Sequence, residues 1–181
     1  MNIKMFLNFK EYNKEGVLIR EKEHLANSLL KPFLAPIICQ FRGTAEVNIV
    51  DTTNTARSVA SGASYYYSNP SIIVGTGTNA VSFSDYNLQT GIANGTAAGQ
   101  LVYGPMIVDG ALTVSGSDCY FLTARSFTNS SGSDITIHEV GLTSRIANSS
   151  TQYFLIDRTL SAYTIANGNS VIITYKIMIS V

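Results

Sequence analysis

The chain has 181 residues, with 12 basic and 12 acidic side chains and a formal net charge of zero. That balance speaks against a polyanion such as nucleic acid as partner, because phosphate binding needs clustered Lys and Arg. Only 13% of the residues are charged; Gly, Ser, Thr and Asn fill the polar share, as in β-rich chains with many turns, and near-zero charge favours association.

The charge is unevenly spread. Residues 1–34 hold 10 of the 24 charged side chains, and the composition changes near Pro32 and Pro36. In GVLIREKEHLANSLLKP the apolar residues Leu18, Leu25, Leu29 and Ala26, Leu30, Phe33 recur at spacings of three, four and seven. That spacing predicts one face of a helix, stopped by Pro32. A shorter helix from about Ile3 to Tyr12 would precede it, separated by Gly16. His24 would lie on the longer helix as an exposed or contact residue. The expected division is a helical arm and linker over 1–42, then a β domain over 43–181. Leu18, Leu25, Leu29, Leu30 and Phe33 are candidate interface residues, since an isolated amphipathic helix needs a surface to cover it.

From about Thr44 the apolar period becomes two. EVNIVD, the turn residues Asp51 to Asn54, and ARSVASGAS read as a hairpin. SIIVGTG, QLVYGPMIVDGALTV, CYFLTARSFT, DITIHEVGLTSR, TQYFLIDRTL and NSVIITYKIMISV follow as strand-like runs. The last alternates clearly, with Val171, Ile173, Tyr175, Ile177, Ile179 and Val181 on one face. About eight strands with turns between them predict a mainly β chain, an antiparallel jelly-roll-like sandwich. Tyr65 and Tyr67 share a strand face, either as a half-buried packing pair or as an exposed contact patch, and join the candidate interface residues.

Several stretches look like chemistry and fail on inspection. His138-Glu139 begins the zinc-protease pattern, but the second histidine's position is Leu142 and the context is a strand, where that motif needs a helix. Ile135 and Ile137 differ in parity from Val140 and Leu142. A bulge near His138 would restore one apolar face; the alternative is a strand apolar on both faces. Gly75-Thr-Gly77-Thr-Asn-Ala80 matches a dinucleotide fingerprint without the helix that must follow it. Aspartates 51, 85, 109, 118, 134 and 157 sit mostly beside turns, where their side chains bond the backbone. Cys39 and Cys119 match no metal spacing and read as free thiols, with a single bridge open in an oxidising setting. These readings give no catalytic residue, no cofactor and no metal. No run reaches the roughly 18–20 apolar residues of a membrane span, and the run after Lys4 is too short for a secretory signal.

The order of pieces resembles a known group. SIIVGTGTNAVSFSDYNLQTGI precedes SFTNSSGSDITIHEVGL, and LIDRTLSAYTIANGNSVIITYKIMISV closes the chain. Residues Gly75, Gly77, Asp85, Tyr86, Leu88, Asn129, Gly132, Glu139, Gly141, Leu142, Arg158, Gly168 and Tyr175 carry the pattern. Over about 45–181 the chain is similar to virion structural proteins of tailed phages and related prokaryotic viruses. The resemblance implies a self-assembling, non-enzymatic sandwich. It would be made in a host cytoplasm, reside in the virion and contact other virion proteins on the capsid, a turret or fiber base, or the tail. The alternative is a surface module of the virion that binds a host receptor or glycan.

Overall fold

The computed structural model describes residues 2–26, 28–43, 48–59, 65–108, 111–146 and 152–181. Among them are eleven strands and one helix: β1 (Asn2–Tyr12), β2 (Leu18–Ala26), α1 (Lys31–Arg42), β3 (Asn48–Val50), β4 (Ala56–Ser58), β5 (Tyr65–Gly75), β6 (Val102–Val108), β7 (Thr113–Ser115), β8 (Asp118–Thr128), β9 (Ile135–Ile146), β10 (Tyr153–Ile165) and β11 (Ser170–Ser180). The chain is mainly β, and the pairings of β1 with β2 and β11, of β8 with β6, β7 and β11, of β3 with β4 and of β5 with β9 are antiparallel.

The helix expected within residues 16–32 and the shorter one from about Ile3 to Tyr12 are not formed: residues 2–12 and 18–26 are strands. β1 and β2 form a hairpin in their place, turned by Asn13, whose side-chain oxygen accepts the Glu15 and Val17 amides at 3.1 and 2.9 Å. Gly16 supplies the positive φ of 77° that L side chains resist. β1 alternates as a half-buried strand does: Met5, Leu7, Phe9 and Glu11 are buried, while Phe6, Asn8 and Lys10 are partly exposed. Pro32 starts a helix here. It occupies the first turn of α1, where the missing N–H costs no bond and the fixed φ suits the helix. Gly43, left-handed at φ 64°, ends α1, its amide bonded to the Cys39 carbonyl.

The chain divides into two compact units. The first comprises residues 1–27, 92–137 and 162–181; the second comprises 28–91 and 138–161. In the first unit the sheet order is β2-β1-β11-β8-β6, with β7 also paired to β8. β1 lies against β11 from Asn2↔Ser180 to Tyr12↔Ser170, so residues 2–12 are central strand rather than detached arm. One face of this sheet buries Met5, Leu7 and Phe9 of β1, Val171, Ile173 and Tyr175 of β11, and Phe127 of β8. The expected parity of the last strand holds for Val171, Ile173 and Tyr175; beyond them Met178 is buried, while Ile179 and Val181 are exposed.

The second unit holds α1, the β3–β4 hairpin and β5. β5 is paired to β9 in the order β10-β9-β5, and β9 and β10 each run through both units. Its core gathers Leu30, Ala35, Cys39, Ile49, Ile72, Val74, Val140, Leu142, Phe154 and Leu155. Asp51 closes the β3–β4 turn as anticipated. Its carboxylate accepts the Thr53 and Thr55 amides and the Thr53 hydroxyl, and pairs with Arg57 at 2.8 Å.

The pairing of β9 with β5 runs unshifted from Glu139 to Thr143; its irregularity lies on β5, between Tyr66 and Ser71. Residues of both parities from Glu139 to Ser144 are buried. From Glu139 onward β9 is therefore apolar on both faces, the alternative to a single apolar face, as a strand covered on both sides can be.

Candidate functional site

The densest polar constellation of the second unit centres on Glu139. Its carboxylate has no solvent exposure, and Arg158 is only 2% exposed. Gly75 ends β5, and the chain then runs through residues 76–91 without further strand. That segment folds back so that its amides converge on the carboxylate: Oε1 accepts Gly77 N at 3.1 Å and Thr90 N at 2.8 Å, and Oε2 accepts Gln89 N at 3.1 Å. From β10, the Arg158 Nε donates to Oε2 at 2.7 Å. The same guanidinium donates to Asp85 Oδ2 at 2.9 Å and to the Asn79 carbonyl at 3.2 Å.

Glycines make room for this. A Cβ on Gly75 would stand 2.5 Å from Glu139 Oε1 and from the Thr90 carbonyl, and one on Gly77 2.5 Å from Glu139 Oε1. A Cβ on Gly141 would press on Leu155 and Leu88 at 2.9 Å.

Burial alone would push the Glu139 carboxyl upward. The Thr90 amide, the Arg158 guanidinium and the Gln89 amide outweigh it and hold the group below the usual carboxylate range. Burial likewise works against the Arg158 charge, and its bonds to Glu139 and Asp85 more than compensate. Both groups are therefore charged at neutral pH, with their bonding capacity taken up by backbone and by each other. A general acid or base needs a pKa near the working pH and a free edge toward substrate; Glu139 has neither.

A second constellation lies in the first unit. Asn129 has no exposure. Its Nδ2 donates to the Ser133 and Ile165 carbonyls at 2.9 Å, and its Oδ1 accepts the Ser131 amide and hydroxyl. Gly168 N donates to the Asn129 carbonyl, and the Asn167 side chain accepts Gly132 N. Two turns are tied together. The Asn129 side chain is thus wholly committed to this knot. Of the residues that carry the sequence resemblance, Gly75, Gly77, Asp85, Glu139 and Arg158 meet in the first constellation, and Asn129, Gly132 and Gly168 in the second.

The candidate interface residues separate. Leu18 and Leu25 are on β2, 45% and 43% exposed. Leu29 bridges to Asp157. Leu30 is the buried N-cap of α1, its amide bonded to the Ile156 carbonyl. Phe33 is half-buried in the first turn of α1. These five share no helix face. Tyr65 and Tyr67 belong to β5, and their side chains lie outside the described residues.

His24 is on β2, its ring stacked on Phe9 at 5.7 Å. Burial, opposed by the Leu25 carbonyl and aided by Lys22, lowers its pKa. His138 is half-buried on β9. Cys39 and Cys119 are free thiols. Among the described residues no group of three or more His, Cys, Asp or Glu side chains is arranged to hold a metal ion, and no helix is long and apolar enough to cross a membrane.

Sequence reading missed two surface features. Helix α1 exposes Leu34, Ile37, Ile38 and Phe41, and the 76–91 segment exposes Phe83 and Tyr86. The i, i+3, i+4, i+7 spacing of the first set was present in the sequence, masked by the two prolines. Comparison of the chain with protein-family models, curated proteins and solved structures finds no match in any of the three.

Proposed function

We propose that the chain is a non-enzymatic structural protein of a virus particle, a jelly-roll-like β-sandwich that self-associates and docks on capsid or tail proteins. The observation that carries this reading is the use made of Glu139, Arg158 and Asp85. Two almost fully buried charged groups of the second unit, Glu139 and Arg158, together with the partly buried Asp85, are committed to holding a long loop in place, which is what a shell component needs and an active site does not. The neutral, hydroxyl-rich composition and the apolar side chains exposed on α1 and β2 suit protein contacts. Docking through a separate N-terminal helix is no part of the proposal, because residues 2–26 are sheet strands.

The test is to band virus particles from the source host on a density gradient and quantify their proteins by mass spectrometry. The expected result is this chain at a fixed, symmetric copy number per particle. Its absence from intact particles would refute the reading.

A second reading, a receptor- or glycan-binding module, is favoured by one observation. Phe83 is 72% exposed and Tyr86 37% exposed, on a loop pinned from beneath by Arg158 through Asp85. Preorganised aromatic side chains lose little entropy on binding.

A further inference from the structure

Among the described residues β2 ends one sheet and β10 ends another. A strand edge presents unpaired N–H and C=O groups to any passing chain, and folds blunt such edges with charge, proline or a bulge. β2 meets this need itself, with Arg20, Glu21, Lys22 and Glu23 in succession. Arg20 and Lys22 share one face, Glu21 and Glu23 the other. A second β2 laid antiparallel would set like charge opposite like. β10 has no such defence near its end. Residues 159–165, TLSAYTI, hold no charged side chain and no proline, and Leu160, Ala162 and Thr164 are exposed.

The defence comes from β2. Carbonyls two positions apart on a strand point to the same edge. The Ile156 carbonyl takes the Leu30 amide, so the even-numbered carbonyls of β10 face away from β9. Two of them are held by side chains of β2: Lys22 Nζ donates to the Ala162 carbonyl at 3.2 Å, and Arg20 Nη2 donates to the Thr164 carbonyl. The two cations stand where the amides of a neighbouring strand would stand. Their placement is fixed from within the unit. Glu11, 3% exposed, pairs with Arg20 at 2.7 Å and accepts Asn169 Nδ2 at 2.9 Å. Arg20 Nε donates to the Tyr163 hydroxyl at 3.0 Å, and the guanidinium lies 4.0 Å above that ring, which stacks on Phe9 at 4.7 Å.

We infer that β2 guards the outer edge of β10, and that with Arg20 and Lys22 withdrawn this edge pairs antiparallel with the same segment of a second copy. About a two-fold axis at Ala162, Leu160 of one copy faces Thr164 of the other. No like charges meet, in contrast to β2. The ladder is short, so the pairing is weak and depends on concentration.

The test is sedimentation velocity of the full chain from about 1 to about 200 μM, a range that spans weak to moderate dimers, joined to amide exchange. The double variant Arg20→Ala, Lys22→Ala should associate at a concentration at least roughly 10-fold below the parent's, the worth of about one net hydrogen bond. Exchange at the Ala162 and Thr164 amides should slow as it does so. Adding Ala162→Lys, a charge on the edge itself, should restore the parent's behaviour. Lys22→Ala alone spares the Glu11–Arg20 pair, should shift association the same way by less, and carries the test where the double variant does not fold. Asp51→Asn, a loss of stability in the second unit, should leave association unchanged. Association unaltered in both guard variants, or raised equally by Asp51→Asn, would overturn the inference. So would association that Ala162→Lys does not reverse, or that leaves the two amides unprotected and therefore uses another surface. None of these results touches the particle copy number, so the proposed function stands or falls separately.

Discussion

Replacing Glu139 by glutamine keeps the side chain's size and removes its charge. The carboxylate accepts four bonds, from Gly77 N, Thr90 N, Gln89 N and Arg158 Nε. The glutamine oxygen can serve one pair of these donors. Its amide nitrogen then faces the other pair, donor against donor. Each buried donor left unmet costs about 1–3 kcal/mol, and removing one member of a buried ion pair costs about 3–5 kcal/mol. The two descriptions overlap at Arg158, which keeps Asp85, so Glu139→Gln should lose about 3–4 kcal/mol at neutral pH. Urea unfolding at unchanged m-value measures that loss, and amide exchange at Gly77, Gln89 and Thr90 should accelerate beyond it, because the loop opens locally. The pH dependence has a definite sign. The folded-state carboxyl lies below its ordinary value, so its stabilisation is complete above the ordinary glutamate pKa of about 4.3 and is lost as pH falls through the folded value. Parent and variant should therefore converge on acidification. Adding Arg158→Met to Glu139→Gln should cost less than the two single losses combined, since no buried charge is then orphaned. A loss below about 1 kcal/mol, smaller than a single unmet buried donor, would refute the reasoning. Unchanged exchange at the three amides would refute it too; packing of Leu88 rather than the carboxylate would then hold the loop.

Asp51→Asn should cost about 1–2 kcal/mol at neutral pH, allowing for the wet setting of its partially exposed partner Arg57. Burial raises the Asp51 pKa, but the Thr53 hydroxyl, Arg57 and the Thr55 and Thr53 amides bring it down from 3.8 to about 2. Thermal melts of the two proteins should hence approach each other as pH falls from 4 toward 2. Asn129→Ala takes a donor from the buried Ile165 carbonyl and the acceptor from the Ser131 amide, while the Ser131 hydroxyl keeps the Ser133 carbonyl, and should lower stability by about 1–3 kcal/mol in chemical denaturation; a neutral outcome would mean that water replaces the amide. A chain beginning at residue 28 should fail to fold cooperatively by near-ultraviolet dichroism and proteolysis, since it lacks the buried Met5, Leu7 and Phe9. A compact, protease-resistant fragment would show β1 to be dispensable.

Much of residues 48–181 was legible because their strands alternate or are bounded by turn residues. The Asp51 turn and the alternation of Val171, Ile173 and Tyr175 in β11 follow from such local signals. The first 30 residues were misread for a physical reason. β2 is rich in Glu, Lys, Arg and Leu, which favour helix in isolation, and only Ala26 of the strand is buried, so it has little apolar period to read. Its state is imposed by pairing with β1. The period of two in Ile3, Met5, Leu7 and Phe9 was available and was overlooked beside the charged run. Pro32 and Pro36 read as breakers, whereas Pro32 serves at a helix start and Pro36 lies on the buried face of α1. The Glu139 constellation joins residues 62, 50 and 49 positions apart in sequence. No local pattern specifies such a meeting, though the closely spaced Gly75 and Gly77 mark where backbone comes near.

β1 lies between β2 and β11, and Phe9 faces Ile173 across the ladder. On a ribosome adding about 5–20 residues each second, the partner of β1 emerges roughly 10–30 s after β1 itself. Through that interval Met5, Leu7 and Phe9 have no sheet to enter, and long-range pairing of this kind forms slowly. An interrupted translation product therefore cannot complete the sheet. Synthesis as far as β11 becomes a checkpoint: only chains that reach it can bury the apolar face of β1 against its second neighbour.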